Sequence, residues 1–154
     1  MVLSFARGLI NVNDMERSVV FYRDKLGLRV VYDNRMTDPG REEIREAVGE
    51  ALGVPGVDLR WVVMEAPGEG AGREIELLQW FNPKPQPLLG KRNVCDEGIA
   101  WRSFKVANVR EAFEQLKSQG VKFRGSLGEM PSRGSGVCYC LDPDGHVVEL
   151  GGPL

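Results

Sequence analysis

Two glutamates are the residues best placed to do chemistry. Glu76 stands in Glu74-Ile75-Glu76-Leu77-Leu78 and Glu149 in His146-Val147-Val148-Glu149-Leu150, each a carboxylate carried by an apolar strand pattern. Upstream of each lies a matching segment, Arg7-Gly8-Leu9-Ile10-Asn11-Val12-Asn13-Asp14 and its echo Trp101-Arg102-Ser103-Phe104-Lys105-Val106-Ala107-Asn108. The chain thus states one unit twice, and a duplicated unit with matched inward carboxylates implies a shared hollow. Two carboxylates facing one hollow repel each other and favour a cation or a proton between them. Arg7 offers a permanent cation with the fork geometry that suits carboxylates. Asn11, Ser103 and Lys105 add donors, and Trp61 and Trp101 add flat aromatic surface. One reading is a pocket for a planar or aromatic molecule with an anionic or carbonyl oxygen near Arg7. The other is that the Arg7 pairing is structural and the hollow has become core.

Smaller signals read more plainly. Cys138 and Cys140 fall on one strand face and suit small buried hydrophobes better than a metal pair, because metal sites need further ligands. His146, three residues before Glu149, points to the other face if the strand continues that far, and the preceding Asp144-Gly145 marks it as a turn residue.

These residues need elements to hold them. Residues 4 to 12 alternate as a strand, with Arg7, Leu9 and Asn11 on one face and Gly8, Ile10 and Val12 on the other. Asp14 caps a helix that places Met15, Val19, Phe21, Tyr22 and Leu26 at helical spacing and ends at Gly27. Strands follow at 28–32, 58–65 and 74–80. An inserted amphipathic helix lies at about 38–53, carrying Ile44, Val48, Ala51 and Leu52. Residues 82 to 99, with Pro83, Pro85 and Pro87, read as a linker. The second copy gives a strand at 100–106, a helix at 108–119, a strand at 121–124, a loop to Gly136, and strands at 136–141 and 146–150. The fold class is therefore α+β: two βαβββ modules forming a curved mixed sheet around a cavity, helices outside, within one domain over 1–154. Module one spans 1–81 and module two 100–154.

The 154 residues suffice for one such domain, and 42% hydrophobic content is ordinary for a globular chain. A net charge of −2 without a basic stripe argues against nucleic acid. No apolar run is long enough for a signal peptide or a membrane span. Three cysteines are too few and odd in number for a disulfide framework, which points to a reducing cytoplasm.

Several motifs together resemble a known family. They are residues 14 to 28 (Asp14-Met15-Glu16-Arg17-Ser18 through Gly27-Leu28), Ile75-Glu76-Leu77-Leu78, Gly98-Ile99-Ala100, and residues 142 to 150 (Asp142-Pro143-Asp144-Gly145 through Glu149-Leu150). The chain is similar in these to the vicinal oxygen chelate superfamily, which includes glyoxalase I, methylmalonyl-CoA epimerase, extradiol dioxygenases, fosfomycin-resistance enzymes and bleomycin-binding proteins. The resemblance implies one metal ligand from the first strand and one from the last strand of each module. Those positions carry Glu76 and Glu149 as carboxylates, but Arg7 and Trp101 where a histidine or another donor is common. Neither a guanidinium nor an indole can ligate a metal. The expectation is thus a glyoxalase- or bleomycin-resistance-like protein that acts on or binds a small planar or carbonyl-bearing molecule without a cofactor. Catalysis, if any, would fall to Glu76 and Glu149. The alternative is a lyase, isomerase or dioxygenase of the glyoxalase type with a divalent metal held weakly by Glu76 and Glu149. The partner expected is a small molecule, with the chain as a homodimer. Whether modules pair within one chain or across two stays open.

Overall fold

The computed structural model describes residues 7–68, 73–86 and 101–154. The chain divides into two compact units, Met1–Leu88 and Leu89–Leu154. No helix among the described residues is long and apolar enough to cross a membrane.

In the first unit β1 (Gly8–Asn11) leads to α1 (Met15–Val20), β2 (Arg29–Arg35), α2 (Glu42–Leu52), β3 (Asp58–Glu65) and β4 (Glu74–Asn82). Spatially the strands run β1-β4-β3-β2, with β1 parallel to β4 and the other pairs antiparallel. Asp14 starts α1 by accepting the Arg17 backbone N–H at 3.1 Å, which satisfies a donor the helix itself leaves unpaired. Met15, Val19, Phe21 and Tyr22 are buried, as are Ile10, Val62, Met64, Ile75 and Leu77 on one face of the sheet. This alternation along the strands lets one face take α1, while Leu59, Trp61, Leu78 and Trp80 on the other pack with Val48 of α2. Beyond Val20 the helix widens into a π turn, Phe21–Lys25. Arg60 ties α1 to the sheet, donating to Glu16 at 2.6 Å and to both oxygens of Asp33 at 2.8 and 2.7 Å.

The inserted helix forms as the sequence predicts, within the expected 38–53. It ends on Gly53 in the left-handed region at φ 66°, where a side chain would be strained. Val48 and Val54 pack on a buried cluster of Met36, Val57 and Leu59, together with Trp61, Leu78 and Trp80.

The second unit repeats the plan with β5 (Trp101–Lys105), α3 (Val109–Ser118), β6 (Gly128–Met130), β7 (Ser135–Leu141) and β8 (Val147–Pro153). Its strand order is β5-β8-β7-β6. The architecture is α+β, two βαβββ modules each built on a four-stranded mixed sheet, with three α-helices among the described residues. Asn108 caps α3 through the Glu111 N–H at 3.0 Å. Cys138, Cys140, Val148 and Leu150 are buried on one sheet face, and Val109 and Leu116 of α3 are buried with them. Where the first unit carries α2, the second has only a short 3-10 turn, Pro131–Arg133.

One expected strand moves. Residues 121–124 form no strand of their own, only a bridge from Phe123 to Cys140, and the fourth strand is β6, inside the expected loop. Both stretches run beside β7: Arg124 N–H reaches the Tyr139 carbonyl at 2.9 Å, and β6 pairs further back from Gly128 opposite Val137. Gly125 interrupts a single edge. The last strand needs glycine at 152, where a Cβ would come within 2.2 Å of the Val106 carbonyl oxygen. Gly98-Ile99-Ala100, Cys95 and most of the linker expected at 82–99 lie outside the described residues.

Candidate functional site

Parity and register decide what each carboxylate meets. In the first unit Leu9, Glu76, Val63 and Tyr32 are successive cross-strand partners, so they form one row on the face turned away from α1. In the second unit the corresponding row is Ser103, Glu149 and Tyr139. The side chains directly beside the two glutamates are therefore Leu9 and Ser103. Arg7 and Trp101 stand two residues earlier and reach the carboxylate rows diagonally.

Arg7 does reach. Its Nη1 donates to Glu76 Oε2 at 3.2 Å, and its Nε lies 3.5 Å from Glu74 Oε2. One guanidinium is thus shared by two carboxylates. The Arg7 side chain is 34% exposed and that of Glu76 18%, a half-buried pair. Next to it Arg29 and Arg73 both hold Glu65 at 2.6 Å, which sits across from Glu74.

Further along the same face the expected ligand groups are occupied otherwise. Asn11 Oδ1 accepts the Trp80 indole N–H at 2.8 Å. Trp61 packs on the α2 cluster with the Arg41 guanidinium 5.1 Å from its ring centre, and Arg41 also bonds Asn34, the cross-strand partner of Trp61. Trp61 is therefore mostly taken up by the insertion.

In the second unit Ser103 Oγ donates to Glu149 Oε1 at 2.7 Å. The Tyr139 phenol also donates to Glu149, which raises its pKa above the ordinary tyrosine value, with burial adding to the shift. Trp101 meets Tyr139 edge to face, ring centres 5.5 Å apart, and remains 41% exposed. Beside these groups opens a depression of about 320 Å³ whose lining includes Ser103, Lys105, Glu149, Gly151, Gly152 and Pro153. Tyr139 escaped the sequence reading. The Cys138-Tyr139-Cys140 alternation carried the signal, since burying both cysteines sends the tyrosine to the face of Glu149.

The cysteines are shut away on the opposite face. Burial pushes the Cys138 thiol up to about 11 and that of Cys140 to about 12, far from the reactive range. His146 is exposed in its turn, where Asp142 Oδ1 accepts the backbone N–H groups of Asp144 and His146 at 2.9 and 2.8 Å.

The side chains present do not fit the metal that the resemblance implies. Arg7 brings a charged donor to Glu76, and Trp101 brings a ring with no lone pair to give. Among the described residues no three His, Cys, Asp or Glu side chains gather as a metal ion requires.

Comparison with known proteins agrees with this architecture. Residues 4–150 match the family model of the Glyoxalase/Bleomycin resistance protein/Dioxygenase superfamily. The chain is 27% identical over 147 residues to glyoxalase I of Saccharomyces cerevisiae, covering 92% of this chain but only 42% of that protein. A glyoxalase family protein from Bacillus cereus superposes with a TM-score of 0.82 at 19% identity, covering 100% of this chain and 96% of the other. TnmS3, an antibiotic binding protein from Streptomyces, superposes with a TM-score of 0.58 at 21% identity, covering 100% and 99%. With the duplicated modules and the match across 4–150, the chain belongs to the Glyoxalase/Bleomycin resistance protein/Dioxygenase superfamily.

Proposed function

We propose that this protein binds a small planar molecule against its sheet faces without a resident metal ion. The observation that carries the reading is that the chain's own donors already hold both carboxylates: Arg7 holds Glu76, while Ser103 and Tyr139 hold Glu149. At Glu76 the permanent positive charge of Arg7 stands where a metal ion would have to sit, and at Glu149 the two hydroxyl hydrogens take part of the lone-pair set that a metal would need while leaving the rest open to a ligand. Trp101 supplies exposed flat surface beside the depression. A family fold that also serves an antibiotic binding protein is compatible with recognition as the whole task. The homodimer remains part of this proposal, and its mass in solution is the check.

The experiment has two arms. Protein purified without chelator should carry no stoichiometric Zn, Ni, Mn or Fe, and elemental analysis finding about one tightly held ion per site overturns the metal-free reading. A screen of aromatic acids, quinones and glycopeptides should yield a ligand that changes tryptophan fluorescence and raises thermal stability by mass action. Trp101→Ala should weaken that ligand and leave the protein folded. No shift across the screen, or unfolding of the variant, overturns the binding reading.

The likeness to yeast glyoxalase I favours a second reading, metal-dependent conversion of the glyoxalase type through Glu76 and Glu149. The metal analysis separates the two.

A further inference from the structure

Hydrogen-bond polarity in the second unit defines what a ligand there must bring. Ser103 and Tyr139 each have one hydroxyl hydrogen, and both point at Glu149. With those hydrogens engaged, the two hydroxyl oxygens and the carboxylate present only lone pairs to anything arriving from outside. Such a surface accepts hydrogen bonds and does not donate them. Beside it stand two aromatic rings, Trp101 and Tyr139, held edge to face at 5.5 Å. An exposed indole attracts cations through its negative π face.

The charged neighbour on this face is Lys105, which lines the depression with Ser103 and Glu149. On an extended strand Trp101 and Lys105 flank Ser103 on either side, each about 7 Å away along the chain. The ammonium of Lys105 therefore disfavours positive charge most at its own end and least at the Trp101 end. The face has a direction: aromatic and acceptor-rich toward Trp101, donor-rich toward Lys105.

From this arrangement we propose that Glu149, Ser103, Tyr139 and Trp101 form a recognition site for the cationic, N–H-donating head of a planar organic molecule. An amidinium or a protonated aromatic amine has the required chemistry. The rest of such a molecule extends over the depression toward Lys105. This rests on the binding reading above and narrows it, because the anionic or carbonyl group expected near Arg7 meets a guanidinium already shared by Glu74 and Glu76.

The test uses three planar probes of nearly equal shape and different charge: benzamidinium, benzamide and benzoate, titrated into the intact protein by calorimetry. Benzamidinium should bind at least about tenfold more tightly than either of the others, on the scale of charge-assisted over neutral hydrogen bonding. Glu149→Gln should erase that preference, and a folded Glu149→Gln protein that keeps it overturns the assignment. Equal or tighter binding of benzamide or benzoate overturns the cation site while leaving the general binding reading standing. Binding of none of the three also overturns it, and the broad ligand screen then decides the general reading separately. The three-probe comparison needs no variant, so a misfolded Glu149→Gln cannot obscure the outcome.

Discussion

Arg7 and Glu76 show how far exposure sets the value of a charge pair. Were the pair sealed from water, removing the guanidinium would leave an uncompensated buried charge. With the Arg7 side chain 34% exposed, solvent screens most of that cost. A double-mutant cycle of Arg7→Ala and Glu76→Gln should therefore give a coupling of about 1 kcal/mol in denaturant unfolding. Strictly additive effects would show that the two side chains do not interact in solution. The adjacency itself was legible only through the family resemblance, which draws on the first and last strands of each module together. The sharing with Glu74 was not, since it depends on where a long side chain settles. Tyr139 lends itself to a direct readout: its phenol is held above the ordinary value by the bond to Glu149. Glu149→Gln should lower that pKa toward about 10, followed by phenolate absorbance in the ultraviolet and assigned with Tyr139→Phe. An unmoved titration would mean that the phenol bonds elsewhere.

Elements with strong periodicity were readable, and those decided by partners were not. β3, α2 and α3 lie within a residue or a few of their expected bounds, because alternation, caps and a terminal glycine marked them. β6 is three residues, Gly128-Glu129-Met130, all exposed, with no apolar pattern to announce it. It exists because β7 offers an open edge. The π turn at Phe21–Lys25 was equally silent, although it buries the consecutive Phe21 and Tyr22, their rings at right angles 5.1 Å apart. The anchoring of α1 by Arg60 leads to a pH prediction. Hydrogen bonding from Arg60 holds Asp33 below the usual carboxylate range. Its folded pKa is thus lower than its unfolded value near about 4, so its contribution is present above that pH and is lost as pH falls through the folded value. Asp33→Asn should be destabilised relative to the parent at neutral pH, and the gap should narrow below pH ~4 in denaturant titrations. A gap independent of pH would show that the Asp33 charge is not what Arg60 uses.

Across the whole molecule the same topology is used twice to different chemical ends. Each copy sets a glutamate in the same strand of the same four-stranded order, yet one is matched to a guanidinium and the other to two hydroxyls. The repeat was visible in the sequence, and so was the departure from the donor set that the family resemblance implies. The direct partners of the glutamates were not, because a diagonal neighbour and a true cross-strand partner differ by two residues, a shift that preserves side-chain parity and so leaves no trace in the pattern. The insertion follows the same logic: α2 occupies the interval that the second copy crosses with a single 3-10 turn.

The paired glycines at the end of β8 make the depression adjustable. Gly152 admits no side chain, because a Cβ would meet the Val106 carbonyl oxygen at 2.2 Å, whereas at Gly151 the nearest obstacle is the Gly136 carbonyl oxygen at 3.9 Å. Both residues line the depression beside Ser103 and Glu149. Adjacent positions thus have opposite mutational freedom, one fixed by the backbone and the other open to variation. In a saturation library scored for folded protein, substitutions at 152 should be lost and small ones at 151 retained. Ligand size selection can then drift through residue 151 alone, one methyl group at a time, without disturbing the sheet that carries it.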